Sequence, residues 1–475
     1  MSDIDEDELK ERCVAVESLR NRCQTILQDS EDLQRKHGFE GLYRYTNSLH
    51  AEVGFLDKLL GQPTLIKEEY IQSSNMSYLD AVHDAMSELR SIEELMTLKS
   101  VPPPDQKEWM PRAELMRNKT VKVDLVAESG LVWIKVIARN AKGLRFDMAG
   151  LEFDDDDMYE EEEEDDDEEE LEEAMGSLHV GSEGFDQLPI FKKAQDYLAS
   201  AKAHQIHFRT PIVIFAFMRL QENDEFVGRI LDHLRSLGIV VYTAGGESNL
   251  QAACQVALGE PVPVESLTTS KLNLDVSTVL AVLSEMAHAP CQPDQVEGEA
   301  LQIQARREMT SPELPVLKNL LVDKELYMVQ SAFNRLESIV NVVGGPREQA
   351  RFHYLFRDQL SIDQEYDPEL WTQLPPLSVH VVPDNTSDRF KQLLEPPSRK
   401  GKLNNGRKIR SRFSEFHAII FGSGDAYRMT TITAIQWMDT ALDDAGLTGT
   451  AIIAHEPRSL AEQKMKRPSP SSSSS

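Results

Sequence analysis

The sequence predicts an α/β protein in three parts. They are a helical region over residues 1–105, a smaller α/β domain over 115–250, and a C-terminal parallel-sheet domain over 268–462. Three observations predict this. Apolar residues recur at helical spacing as far as the run Pro102-Pro103-Pro104. Beyond it, short β-type apolar runs alternate with helical stretches. The 475 residues also exceed one ordinary core.

In the first part, Leu9, Cys13, Val16, Cys23 and Leu27 fall on one helical stripe, and Gly38 marks its end. FEGLYRYTNSLHAEVGFLDKLL reads as a second helix, antiparallel to the first. SYLDAVHDAMSELRSIEEL, from Ser77, reads as a third. The prolines then remove backbone donors and stop the helical pattern.

In the second part, KTVKVDLVAE and GLVWIKVIA flank a Ser-Gly turn and read as a β-hairpin. PIFKKAQDYLASAKAH reads as a helix, PIVIFAF as a buried strand, DEFVGRILDHLRSLG as a helix ending at Gly238, and IVVYTAGG as a strand. Strand, helix and strand at this spacing make a parallel unit. The third part opens with KLNLDVSTVLAVLSEM as strand then helix. Residues 324–342 read as helix, LSVHVVPD as strand and HAIIFGSGD as strand. DAYRMTTITAIQWMDTALDDAG reads as helix and TGTAIIAHEP as the last strand.

The net charge is −30, and 18 of the acidic residues lie between Glu152 and Glu173 with no basic residue among them. Such a run repels itself, so residues 152–176 are expected to be a disordered insertion. Without those 18 charges the chain carries −12, so the average says little about local surfaces. The tail 463–475 ends in KRPSPSSSSS and is expected to be disordered. The four cysteines are scattered, which indicates neither a zinc site nor a disulfide framework and suits reduced thiols in an intracellular protein, cytoplasmic or nuclear. The N-terminus lacks an apolar signal-peptide core, and no apolar run is long enough to span a membrane.

Ligands of open α/β sheets bind beyond the carboxyl ends of the strands. As read above, those ends carry Asp275, Asp384, Asp425 and Glu456. Grouped carboxylates resist ionising side by side, and a divalent cation such as Mg²⁺ or Mn²⁺ relieves that repulsion. Acids in these positions also cap the helices that follow strands, so both readings stand.

LNLDVSTVL resembles the opening motif of PIN-like nuclease domains, an Asp at a strand end with a small polar residue two places on. GSGDAYRMTTITAI resembles their third acidic motif, and IIAHEPRSL their last, with Glu456 in place of Asp and His455 in place of a small polar neighbour. The second motif falls on Glu337 in SAFNRLESIV. The resemblance covers roughly residues 268–462. It implies a metal-dependent ribonuclease in which Asp275, Asp425 and Glu456 hold the metal and Glu337 assists, or else a PIN-like domain that has lost catalysis and serves as a binding or scaffold protein. The whole layout also resembles an uncharacterised eukaryotic family that ends in a PIN-like domain of unknown function. In the scaffold reading, the helical N-terminal region is the partner surface.

SRKGKLNNGRKIRSRF carries Arg399, Lys400, Lys402, Arg407, Lys408, Arg410 and Arg412, a candidate contact for an RNA backbone or a solvated loop. The acidic block is its candidate internal competitor. Gly422-Ser423-Gly424 lacks the third glycine of a dinucleotide fingerprint and the GK[ST] of a P-loop, and Ser423 lacks the flanking glycines of a hydrolase elbow.

Overall fold

The computed structural model describes residues 6–67, 70–71, 73–103, 110–141, 144, 188–220, 225–246, 248–259, 267–394 and 413–466. The acidic block, the basic stretch 399–412 and the serine-rich tail from residue 467 lie outside the described residues. The chain divides into two compact units. One takes Met1–Pro103, Met116–His204 and Thr210–Val262, the other Pro104–Leu115, Gln205–Arg209 and Pro263–Ser475.

The first unit joins the helical region and the central α/β part through one sheet. Helices α1 (Glu6–Lys36), α2 (Leu42–Leu60) and α3 (Met76–Ser87) are followed by β1 (Ile92–Ser100). The stretch from Ser77 therefore begins as the expected helix and ends as a strand. IEELMTLKS pairs antiparallel with β2 (Thr120–Ala127), with Leu95 opposite Leu125. Tertiary pairing overrides the helical propensity of Glu and Leu in that segment. β2 and β3 (Val132–Ile137) form the expected hairpin. After α4 (Pro189–Ala203), β4 (Ile212–Phe217), α5 (Glu225–Leu237) and β5 (Val240–Thr243) form the expected parallel unit. Gly238 ends α5 at φ 101°, a conformation that favours glycine. The sheet runs β1-β2-β3-β4-β5.

The second unit is a five-stranded sheet, every neighbouring pair parallel. β6 (Lys271–Leu274) leads into α6 (Val276–Leu283). β7 (Glu325–Val329) leads into α7 (Gln330–Val343), and β8 (Val379–Val382) follows. The segment 325–329, expected as helix, is thus an interior strand of the sheet; it runs straight into α7 with no turn residue between, so no local break separates the two.

The largest departure comes next. HAIIFGSGD lies in helix α8 (Glu415–Ala426), and the strand is β9 (Thr430–Thr433), within the segment expected as helix. α9 (Met438–Asp444) and β10 (Ile452–Ala454) complete the unit. Four consecutive apolar residues, Ala418 to Phe421, suit a buried strand and a buried helix equally. The β-branched run Thr430-Thr431-Ile432-Thr433 is the stronger strand signal. The glycines let α8 approach the sheet. A Cβ on Gly424 would stand 2.2 Å from Thr431 Oγ1, and one on Gly422 would stand 2.6 Å from the Thr386 methyl. At that contact, buried Asn273 donates from Nδ2 to the Ile420 carbonyl (3.1 Å) and to Thr431 Oγ1 (3.0 Å).

Among the described residues, no helix is long and apolar enough to cross a membrane.

Candidate ligand-binding edge of the C-terminal sheet

From β6 the sheet grows in two directions, to β7 and β8 on one side and to β9 and β10 on the other. Doubly wound sheets of this order open a crevice where the direction reverses, beyond the carboxyl ends of the two central strands. Here that point lies between Asp275, which follows β6, and Thr433, which ends β9.

Asp275 is buried, and its backbone N–H donates to the Ile432 carbonyl at 3.0 Å, extending the strand pairing. It stands at the N-cap of α6, but its side chain does not cap the helix. Oδ2 accepts instead from Ser277 Oγ (2.6 Å) and Thr433 Oγ1 (2.8 Å). Each hydroxyl in turn accepts a backbone N–H, Ser277 Oγ from Ala434 (2.9 Å) and Thr433 Oγ1 from Ile435 (3.1 Å). The carboxylate thus ties the start of α6 to the loop after β9. Its Oδ1 receives no hydrogen bond from the described residues.

His455 lies beside this clasp. Its N–H donates to the Thr433 carbonyl (2.9 Å), continuing β10, and its ring is buried. Nδ1 is 2.9 Å from the Glu456 carbonyl, which only accepts, so Nδ1 carries a proton. Nε2 is 2.9 Å from Thr278 Oγ1, which is also 2.7 Å from the Ile432 carbonyl. Burial pushes the His455 pKa down, against the raising effects of the Glu456 carbonyl and the charges of Asp275 and Glu456. A neutral ring follows, with the single Thr278 proton facing two acceptors. Behind it, Glu313 Oε1 stands 3.7 Å from Nδ1, and burial pushes the Glu313 carboxyl up. Arg458, buried, pairs with Glu308 and lies 3.7 Å from Glu313.

The predicted acids do not converge. Glu456 is on the carboxyl side but exposed. It accepts from Gln436 Nε2 (2.6 Å) and pairs with Arg307 at 3.2 Å. Asp425 closes α8 ahead of β9, on the opposite side of the sheet from Asp275. There it forms a bidentate pair with Arg389, whose Nη1 also donates to the Thr448 carbonyl ahead of β10 (2.9 Å). The expectation that Asp425 joins Asp275 is therefore corrected. The residue ends a helix that runs back from the carboxyl side, where His417 lies 6.0 Å from Trp437. Glu337 is half-buried on α7, about 10 Å along the helix from the end of β7, so it is carried away from the carboxyl edge. Asp384, at the end of β8, accepts from the Ser331 backbone N–H (3.0 Å) and hydroxyl, and so caps α7. Arg399 to Arg412 lie outside the described residues. Thr433, Thr278 and Glu313 carry the edge without having been singled out. The threonine-rich strand was a visible signal for Thr433; Thr278 and Glu313 had none.

The set fits Mg²⁺ or Mn²⁺ poorly. Such ions want several converging oxygens with little competing positive charge. One Asp275 oxygen already accepts two hydroxyls, Glu456 faces Arg307, and Asp425 is neutralised by Arg389. Among the described residues, no group of three His, Cys, Asp or Glu is arranged to hold a metal.

Residues 4–164 match a family described as "Family of unknown function (DUF5614)", and residues 272–374 match one described as "Protein of unknown function (DUF1308)". The chain matches two uncharacterised families. The second match takes in Asp275, Ser277, Thr278 and Glu313 and stops before Asp425 and Glu456. No solved structure matches the chain.

Proposed function

We propose that this chain is a binding or scaffold protein whose C-terminal unit is a catalytically inactive PIN-like module. The observation that carries the reading is the separation of Asp275 from Asp425 to opposite edges of one sheet, each engaged by neutral hydroxyls or by an arginine. A phosphodiester hydrolase of the metal-dependent kind needs carboxylates that converge on the ion. The PIN-like character rests on the sequence resemblance together with an Asp-x-Ser at the switch point of a parallel sheet. In this reading the ligand meets the carboxyl edge around Asp275 and His455. The basic residues Arg399 to Arg412 make single-stranded RNA the ligand to try first, and the N-terminal helices are the surface for a protein partner.

The test uses the purified full chain with single-stranded RNA and Mn²⁺, beside an Asp275→Asn, Asp425→Asn variant. Intact RNA in both, and no Mn²⁺ binding by calorimetry, is the expected result. RNA cleavage by the wild type that disappears in the variant would return the ribonuclease reading and end this one.

A further inference from the structure

The first unit contains a cleft of about 800 Å³. It is lined by α2, α3, α4 and the neighbouring ends of β2 and β3. That volume lies in the range of small-molecule sites. Its charge is opposite to that of the chain, since Lys122, Lys135, Arg139, Lys192 and Lys193 all face it. We propose that this cleft binds a small molecule carrying two or more phosphate groups.

The floor is built rather than incidental. Asp124, fully buried, accepts from Tyr78 Oη at 2.5 Å and from the Val136 N–H at 2.7 Å, and stands 3.4 Å from Lys135 Nζ. One buried carboxylate therefore fixes both the Tyr78 ring and the Lys135 ammonium. Lys122 Nζ and Lys135 Nζ stand 5.2 and 5.8 Å from the centre of that ring. Two cations are thereby held beside one aromatic wall, at an attractive cation–π distance.

Asp124 offsets Lys135, and the acids that line the cleft offset little more. Asp196 pairs with Lys119 at 2.6 Å. Glu52 is buried and accepts from Ser74 Oγ at 2.6 Å, and burial pushes its carboxyl up towards the neutral form. Among the described residues Lys122 and Lys192 have no carboxylate partner, whereas Arg139 and Lys193 make interactions of their own. Like charges gathered in a partly enclosed cleft focus the field and favour an anion of high charge density. Lysines meet phosphate as point charges, and phosphate oxygens accept their strong charge-assisted hydrogen bonds. The several cations call for more than one phosphate, and Tyr78 with Phe55 supplies apolar wall for the remainder.

In the sequence the acidic block lies between two residues that line the cleft, Arg139 and Pro189. Those acids carry the same charge as the ligand, so the experiment includes their removal. Calorimetry at low salt on the full chain, and on a form lacking residues 154–173, measures binding of sodium tripolyphosphate, ATP and adenosine. Both phosphates are expected to bind one or both forms, with adenosine silent. The Lys122→Ala, Lys192→Ala double variant is expected to weaken binding roughly tenfold or more, with an unchanged circular dichroism spectrum and melting point. Binding only after the deletion supports the site with the acids as its competitor. Silence with both phosphates in both forms overturns it, as does affinity unchanged in the double variant. Single-stranded RNA binding that the double variant loses, with no binding of either phosphate, also overturns it in favour of a nucleic-acid groove.

Discussion

The two edges of the C-terminal sheet carry similar chemistry to opposite ends. On the carboxyl side Asp275 follows a strand, is buried, and holds two hydroxyls that anchor the next loop. On the amino side Asp425 closes a helix and is held by Arg389, a part-exposed guanidinium. Each acid follows an apolar run in the sequence. The difference lies in whether that run is strand or helix, because in a parallel sheet strands and their crossover helices point in opposite directions. A carboxylate after an apolar run therefore has no edge until the run has an identity.

The comparison breaks most directly at Gly424, whose missing Cβ makes the helix assignment of α8 possible. Gly424→Leu forces a side chain onto Thr431 and is expected to cost about 3 kcal/mol or more, enough to show as a lowered midpoint in urea. A midpoint equal to wild type would mean that α8 does not approach the sheet as described.

The next effect is one of pH, and it samples both edges. His207, 3.1 Å from Thr430 Oγ1 on the amino side, has its pKa pushed down to about 4, first by burial and then by Lys324. His455 on the carboxyl side is lowered by burial, and His288 between helices falls to about 3, again chiefly by burial. Each is lower folded than the ordinary ~6.5 expected unfolded, so the unfolded chain binds more protons below that value. The stability these rings support is complete above pH ~6.5 and is lost as pH falls towards the folded values. For His207 and His288 the loss is about 2 kcal/mol per ring by pH 5, His455 adds to it in the same direction, and the raised Glu313 carboxyl partly offsets it. Melting curves between pH 7.5 and 5 should fall steadily, and His288→Gln should reduce the slope. A flat profile would show that these rings are not buried neutral.

A smaller effect distinguishes the two acids. Asp275→Ala leaves the buried Thr433 hydroxyl and the half-buried Ser277 hydroxyl without their acceptor and is expected to cost about 1 to 3 kcal/mol. Asp275→Asn keeps an acceptor and should cost less. Asp425→Asn weakens a pair whose arginine is 37% exposed, and is expected to cost about 1 kcal/mol or less. The reverse order in thermal melts would exchange the structural weights assigned to the two edges. The smallest effect is none at all: millimolar Mn²⁺ should leave the melting point of the full chain unchanged, whereas a metal site would raise it.

Most elements of the fold were legible because their patterns were redundant. The N-terminal helices carry a 3.6-residue stripe, and the 120–137 hairpin alternates around a Ser-Gly turn. β6 with α6 reads as a strand and helix joined at an N-cap acid. Four elements were not. β1 is built of residues that also form helices, β7 runs into α7 without a turn residue to mark the boundary, and α8 with β9 was inverted. In each case the local signal was ambiguous and pairing decided it. The candidate site suffered from the last error and from Glu337, which α7 carries away from the edge. Asp275 and Glu456 were placed on the carboxyl side by strands read correctly. Asp425 was placed there by a strand that is a helix, and its true counterpart at the end of β9 is Thr433.

The sequence by itself determined that this chain is α/β, that it has a parallel C-terminal sheet, and that Asp275 stands where such sheets bind ligands. These follow from apolar spacing and turn chemistry, which are local. Only the tertiary structure decided which edge each remaining acid occupies, that Gly422 and Gly424 serve packing rather than a phosphate cradle, and that lysines from strands and a helix line one cleft. Those outcomes depend on which distant segments pair. Pairing is set by burial summed over the whole core, which no short stretch encodes.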